Sequence, residues 1–200
     1  QEQLKVGLKS ILPDAKFIGE EGSNDELTDE GYAFIVDPID GTTNFVKDYH
    51  MSAISVALLN GKDVVAGVVY NPYLDETFYA IKGEGAFCNG KRISVSSQPI
   101  DKALVIFGSS PYDKSLFPKT IEVLSEYFYK VLDIRRSGSA ALDLCCVSVR
   151  YIIQICKHLL IKNRPFFMLY LPGINGIIFI IAQMVKIVNN YVYPKNNKLY

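Results

Sequence analysis

Apolar residues recur at Leu4, Leu8 and Leu12, with Ile11 beside them and Pro13 following. That spacing predicts a helix over residues 2–12 with one inward face, ended by the proline. The period then shortens. Runs rich in aromatic and β-branched residues predict strands at 15–18, 32–36, 52–59, 64–70 and 76–81. Asn60-Gly61-Lys62-Asp63 and Asn89-Gly90 are hairpin-turn signals. Pro38 removes a ladder donor and is expected to end the 32–36 strand. Residues 22–31 are polar and acidic without core-facing periodicity, which predicts a mobile loop. A second portion follows, with a strand at 103–107, a helix at about 116–129, a strand at 131–135 and a helix opening at 139–147. Strands and helices alternate in blocks, the order of layered sheets and helices rather than of a barrel, so the predicted class is α/β.

The stretch richest in chemistry is Ile35-Val36-Asp37-Pro38-Ile39-Asp40-Gly41-Thr42-Thr43-Asn44-Phe45. It sets two acids at the end of a buried strand. Gly41 permits a turn closed to other residues, and Thr42, Thr43 and Asn44 suit the start of a short helix. Amides at a helix start attract phosphate, and clustered carboxylates attract hard cations, so the combination suits a divalent metal beside a phosphate. The 15–18 strand delivers Glu20 and Glu21 to the same chemistry. Crowded carboxylates raise one another's pKa until a cation neutralises them. A lone Asp-x-x-Asp also reads as a capped turn. For Thr43 and Asn44 helix capping is at least an equal reading with substrate contact, and Phe45 is expected in the core. Gly83-Glu84-Gly85 lacks the third glycine and the strand-to-helix context of a dinucleotide fingerprint, and reads as a hairpin turn. Asp143 is expected on a solvated helix face, and His50 and His158, without a partner pattern, as structural or exposed.

The 37–45 run does not stand alone. Phe17-Ile18-Gly19-Glu20-Glu21 precedes it, and Lys82-Gly83-Glu84-Gly85-Ala86-Phe87-Cys88-Asn89-Gly90, Gly108-Ser109-Ser110 and Arg136-Ser137-Gly138-Ser139-Ala140-Ala141 follow it. In this order the motifs resemble the inositol monophosphatase family, lithium-sensitive and magnesium-dependent phosphatases, over roughly residues 1–148. The resemblance implies alternating helix and sheet layers of the sugar-phosphatase type. It implies that Glu20, Asp37 and the carbonyl of Ile39 hold a first Mg²⁺, and that Asp37 and Asp40 reach a second. Glu20 and Thr42 become the catalytic residues that orient an attacking water. Asp40, Gly41 and Thr42, with Gly138, Ser139 and Ala140, become the substrate contacts; Gly108-Ser109-Ser110 is either a simple loop or close to the bound sugar or inositol. Mn²⁺ would substitute for Mg²⁺, and Li⁺ would inhibit. The implied substrate is a small phosphorylated polyol or sugar, inositol monophosphate first, with nucleotide 3′-phosphates and fructose bisphosphate as related choices. A homodimer is implied for the complete protein.

Composition changes this picture at one place. All 21 Asp and Glu lie before residue 149, with 14 of the 21 Lys and Arg, so the first part carries −7 and residues 149–200 carry +7. Ile, Lys, Asn, Tyr and Phe supply 29 of those last 52 residues. Two domains are therefore expected: a partial phosphatase domain over 1–148 and a non-homologous tail over 149–200, frame-shifted or intron-derived. The rival is a membrane segment, because 165–185 is uncharged with basic residues on both sides, although Pro172, Gly173, Asn175 and Gly176 interrupt it. The chain opens on Gln1 without a signal peptide, and reads as truncated at both ends. The family continues past this point with strands and a Trp-Asp-x-Ala-Ala-Gly-type element whose Asp completes the second metal site, whereas here no acid follows Asp143. The second sheet is expected to lack its completing strands, and little phosphatase activity is expected. A non-catalytic metal- and phosphate-binding remnant, or a regulatory protein of the same fold, is the alternative. Cys88, Cys145, Cys146 and Cys156 show no metal-ligand spacing and read as reduced thiols of a cytoplasmic protein. No basic, aromatic-interleaved stripe suggests nucleic acid in 1–148.

Overall fold

Residue alternation in one strand sets the layering. The computed structural model describes residues 1–20, 25, 28–94, 99–108, 114–147, 152–161 and 164–168. In β2 (Tyr32–Asp40), Ala33 and Ile35 join one buried cluster and Phe34 and Val36 another. Successive side chains point to opposite faces, so a strand apolar at both parities must be covered on both. Helix α1 (Glu2–Ile11) covers one face with Leu4 and Leu8, joined by Leu12 just beyond it, against Phe17, Phe34 and Val36. Ile11, expected on that inward face, is instead exposed: it is the last residue of the helix and lies at the edge of the leucine stripe. Helix α4 (Ala140–Val147) covers the other face with Ala141, Leu142, Leu144 and Cys145, packed with Ile35, Ala57, Val69 and Phe78.

The sheet between them has seven strands in sequence order: β1 (Lys16–Gly19), β2, β3 (Ala53–Asn60), β4 (Asp63–Asn71), β5 (Glu76–Ile81), β6 (Gly85–Cys88) and β7 (Lys91–Ile93). β1 runs parallel to β2 and every later pair is antiparallel. Gly61, Gly83 and Gly90 take positive φ at the hairpin turns, as the turn signals require.

β2 departs from expectation. It does not stop at Pro38 but runs to Asp40, through a register shift in which Asp37 faces Ser55 and Asp40 faces Ala53. Three steps along β2 match two along β3, a one-residue bulge that absorbs the missing proline N–H. The Ile39 N–H, displaced from the ladder, donates to Asp37 Oδ1 at 3.0 Å.

A second sheet has the order β11-β10-β8-β9, formed by β8 (Leu104–Phe107), β9 (Asp133–Arg135), β10 (Ile152–Ile161) and β11 (Arg164–Met168). β8 pairs in parallel with both β9 and β10, and β11 is antiparallel to β10. The expectation that this sheet gains nothing after residue 148 is thereby corrected: the β-branched run Ile152-Ile153 pairs with Leu104 and Val105. Helix α3 (Phe117–Phe128) packs against β10, and Cys146 of α4 meets Leu104 and Ile106. α4 therefore lies between the two sheets, which gives the alternating layers. Glu21, half of 22–31, Ser109, Ser110 and the greater part of 165–185 fall outside the described residues. No helix of the described residues is long and apolar enough to cross a membrane.

Candidate metal and phosphate site

The β2 bulge decides where the acids go. In a regular strand Asp37 and Asp40, three residues apart, would point to opposite faces; one extra residue brings them to the same side. Glu20 arrives at the same place because β1, which ends at Gly19, is the parallel neighbour of β2. The three acids feel one another. Burial, and then the charges of Asp40 and Glu20, push Asp37 up to about 8, with a side-chain hydrogen bond to Glu20 acting in the same direction and the Ile39 amide opposing it. At neutral pH Asp37 thus holds a proton that a cation can displace.

Asp40 is raised too, first by burial, but its environment is different. Its Oδ2 accepts from the Ser139 hydroxyl in a short contact and from the Ala141 amide at 2.9 Å, and the Ala140 amide also favours its charged form. These donors form the N-terminus of α4, where amides have no partner inside the helix. Ser139 itself accepts the Leu142 N–H at 3.3 Å, the geometry of an N-cap. Ser139 and Ala140, two of the expected substrate contacts, lie here beside Asp40, with the Ala141 amide.

Gly41 has φ +85° and precedes α2 (Thr42–Val46). A Cβ on it would stand 2.8 Å from the Met51 carbonyl oxygen and 3.3 Å from Ser139 Cβ, so only glycine lets the turn approach α4. Thr42 is exposed, and its hydroxyl donates to the Ile39 carbonyl at 3.0 Å. With its own proton so fixed, its lone pairs are left to accept one from a water.

Two expectations for this helix fail. Neither Thr43 nor Asn44 caps it, since Gly41 occupies the N-cap without a side-chain bond. Asn44 Nδ2 instead donates to Met51 O at 2.7 Å and to Ser137 O at 2.9 Å. Its amide ties α2 to the turn before α4. Phe45 is exposed rather than in the core, because a helix of five residues buries none of its side chains. Gly138, at φ +89°, lies against that Asn44 amide, with 2.9 Å from its would-be Cβ to Nδ2.

Asp143 was expected in solvent and is buried. Burial pushes it up to about 7, opposed by a hydrogen bond from Ser137 and by the charge of Arg136, while Asp40 raises it further. A signal for this existed: Ala140–Val147 contains one strongly polar residue and no polar face, so its acid has nowhere exposed to go. His50 is exposed and stacks on Tyr73 with ring centroids 4.8 Å apart. Burial, above all, holds the Cys145 thiol well above 9, so it is not a nucleophile.

Two carboxylates that share a proton, a third beside them and a carbonyl form an all-oxygen donor set, which suits a hard divalent cation. Among the described residues no three Asp, Glu, His or Cys side chains form a ready-made cage. Asp40 turns one oxygen to α4, and Glu20 and Asp37 are drawn together by their hydrogen bond rather than around a common point.

A sequence profile described as the Inositol monophosphatase family matches residues 1–152. Inositol monophosphatase 2 of Solanum lycopersicum is 47% identical over 148 residues, which cover 70% of this chain and 56% of that protein. A fructose-1,6-bisphosphatase/inositol-1-monophosphatase of Aquifex aeolicus is 34% identical over 149 residues, covering 74% and 56%. The solved inositol monophosphatase of Anabaena superposes with a TM-score of 0.69 at 31% identity, covering 78% of this chain and 62% of that one. The chain thus spans little more than half the length of the curated relatives it matches.

Proposed function

Since the chain belongs to the inositol monophosphatase family, we propose that it carries the metal- and phosphate-binding part of a magnesium-dependent phosphatase for inositol monophosphate or a related small phosphate monoester. The observation that carries this reading is the burial of Asp37 beside Asp40 and Glu20, which together push it up to about 8. A carboxylate buried there is unfavourable unless a proton or a cation neutralises it. Glu20, Asp37 and the Ile39 carbonyl would hold one Mg²⁺ or Mn²⁺, and Asp37 with Asp40 would reach a second; Li⁺ would compete. Such cations acidify a water and neutralise charge on a phosphate.

The chain's own residues supply the rest. Thr42, its hydroxyl donating to Ile39 O, would accept a hydrogen bond from the attacking water, and Glu20 would orient that water from the other side. The amides of Gly41 and Thr42 face the phosphate, and the α4 turn at Gly138 and Ser139 borders the polyol. Fructose bisphosphate enters as a candidate because the Aquifex relative's name includes it. A cytoplasmic setting, read from cysteines without metal-ligand spacing, and a homodimer are part of the same proposal.

A second reading, a metal- and phosphate-binding protein without turnover, is favoured by the lack of any acid after Asp143. Phosphate release from inositol 1-phosphate by the full chain, with Mg²⁺ and with EDTA, tests the two. Metal-dependent release that Asp37→Asn abolishes supports the phosphatase; saturable Mg²⁺ binding without release supports the second.

A further inference from the structure

Asp40 is held at two points, and one side chain spans both. Its backbone passes directly into Gly41, where a Cβ would stand 2.8 Å from the Met51 carbonyl oxygen and 3.3 Å from Ser139 Cβ. Gly41 is thus wedged between the segment leading into β3 and the turn leading into α4. The Asp40 carboxylate is anchored on the second of these walls, by the Ser139 hydroxyl and the Ala141 amide. The distance between the walls therefore decides where the acid sits.

The Asn44 side chain crosses that gap. An amide nitrogen carries two protons, and here each has its own acceptor, Met51 O at 2.7 Å on one wall and Ser137 O at 2.9 Å on the other. From Ser137 the link continues without a break, because Ser137 Oγ accepts the Ser139 N–H at 3.0 Å and Ser139 Oγ donates to Asp40 Oδ2. Gly138, left-handed between the serines, leaves room for the clasp: a Cβ there would stand 2.9 Å from Asn44 Nδ2 and 3.0 Å from its Oδ1. The α2 helix does not need this side chain, since its N-cap is Gly41. Without the amide both carbonyls lose their donor, and the 137–139 turn is free to move away from Met51 toward water to find one.

We propose that Asn44 is a positioning residue for the cation site, clasping the turn before α4 to Met51 so that Asp40 presents a fixed carboxylate to a divalent ion. This rests on the reading of Glu20, Asp37 and Asp40 as cation ligands. Supporting partners of metal ligands typically change metal affinity by about 10- to 100-fold when removed.

The test is Mn²⁺ binding to the full chain, read by the free-ion electron paramagnetic resonance signal, with a urea midpoint recorded for each variant. Asn44→Ala removes both bonds. Asn44→Ser, too short to reach both carbonyls, serves if Asn44→Ala does not fold. Val123→Ala, a truncation on the buried face of α3 against the second sheet, shows what loss of stability alone does. The expected result is about a tenfold weaker Mn²⁺ affinity in Asn44→Ala or Asn44→Ser, with Val123→Ala within about twofold of wild type. Combined with Ser139→Ala, the loss should fall short of the product of the two single losses, because both act through Asp40. A wild-type protein that binds Mn²⁺ and loses it in Asp37→Asn, while the Asn44 variants bind as wild type, overturns the inference alone. So does an equal loss in Val123→Ala, or a full product with Ser139→Ala. Failure of the wild type to bind Mn²⁺ at all overturns the cation-site reading and this inference together.

Discussion

Asp37 is where burial and charge conflict most openly. Its folded-state pKa of about 8 lies above the ordinary carboxyl value of 3.8. A carboxyl raised on folding stabilises the fold while both states are protonated, and that contribution is lost as pH climbs through the folded value. Asp143, raised to about 7, acts in the same direction. In EDTA the melting temperature is therefore expected to fall steadily between about pH 4 and pH 8. Saturating Mg²⁺ should flatten the decline, since the ion replaces the proton on Asp37. A melting temperature that rises across this window in EDTA would contradict the pairing of these acids. At pH 7 ion binding should also release protons, visible as a calorimetric heat that scales with the buffer's ionisation enthalpy.

At the scale of elements, the site depends on three joints: the β2 bulge, the left-handed Gly41 and the Asn44 bridge from α2 to the α4 turn. Asn44→Ala deletes two hydrogen bonds and should cost roughly 2 kcal/mol in urea unfolding, at about 1 kcal/mol each. Gly138→Ala forces φ +89° on an L-residue, a cost of roughly 1–2 kcal/mol, and drives a methyl to 2.9 Å from the Asn44 amide. Because that obstacle is the Asn44 side chain, Gly138→Ala should cost less in an Asn44→Ala background; strictly additive costs would contradict the contact. These joints also mark the limit of what the sequence discloses. Glu20, Asp37, Asp40, Gly41 and Thr42 could be singled out because strand, acid and glycine follow one another in local order. Asn44 to Ser137 and Ser139 to Asp40 span 93 and 99 residues, and no spacing encodes them. The bulge was hidden for a related reason. Proline forbids a ladder bond, but only the register with β3 shows whether the strand ends there or steps past it.

At the scale of the molecule, one helix carries both the layering and the chemistry. α4 packs on the first sheet through Leu142 and Cys145, meets the second through Cys146, and holds Asp40 at its N-terminus. The alternating layers were visible in the order of predicted elements, whereas the pairing of 152–161 with β8 was not, because the composition there departs so far from the rest. We propose that residues 149–200 form a segment distinct from the phosphatase portion, and that they supply no ligand for the second cation because they contain no acid. Loss of a group that stabilises the departing oxygen costs about 10² or more in rate, so turnover on inositol 1-phosphate should fall below the ordinary range of about 1–10³ s⁻¹. Turnover within that range would show that the second cation is held some other way. Binding itself asks less than turnover, and it is the most direct test of the central claim. Isothermal titration of the full chain with Mg²⁺ is predicted to show saturable binding that Asp37→Asn weakens by at least about tenfold with the fold retained. Equal binding by the wild type and Asp37→Asn would contradict the account.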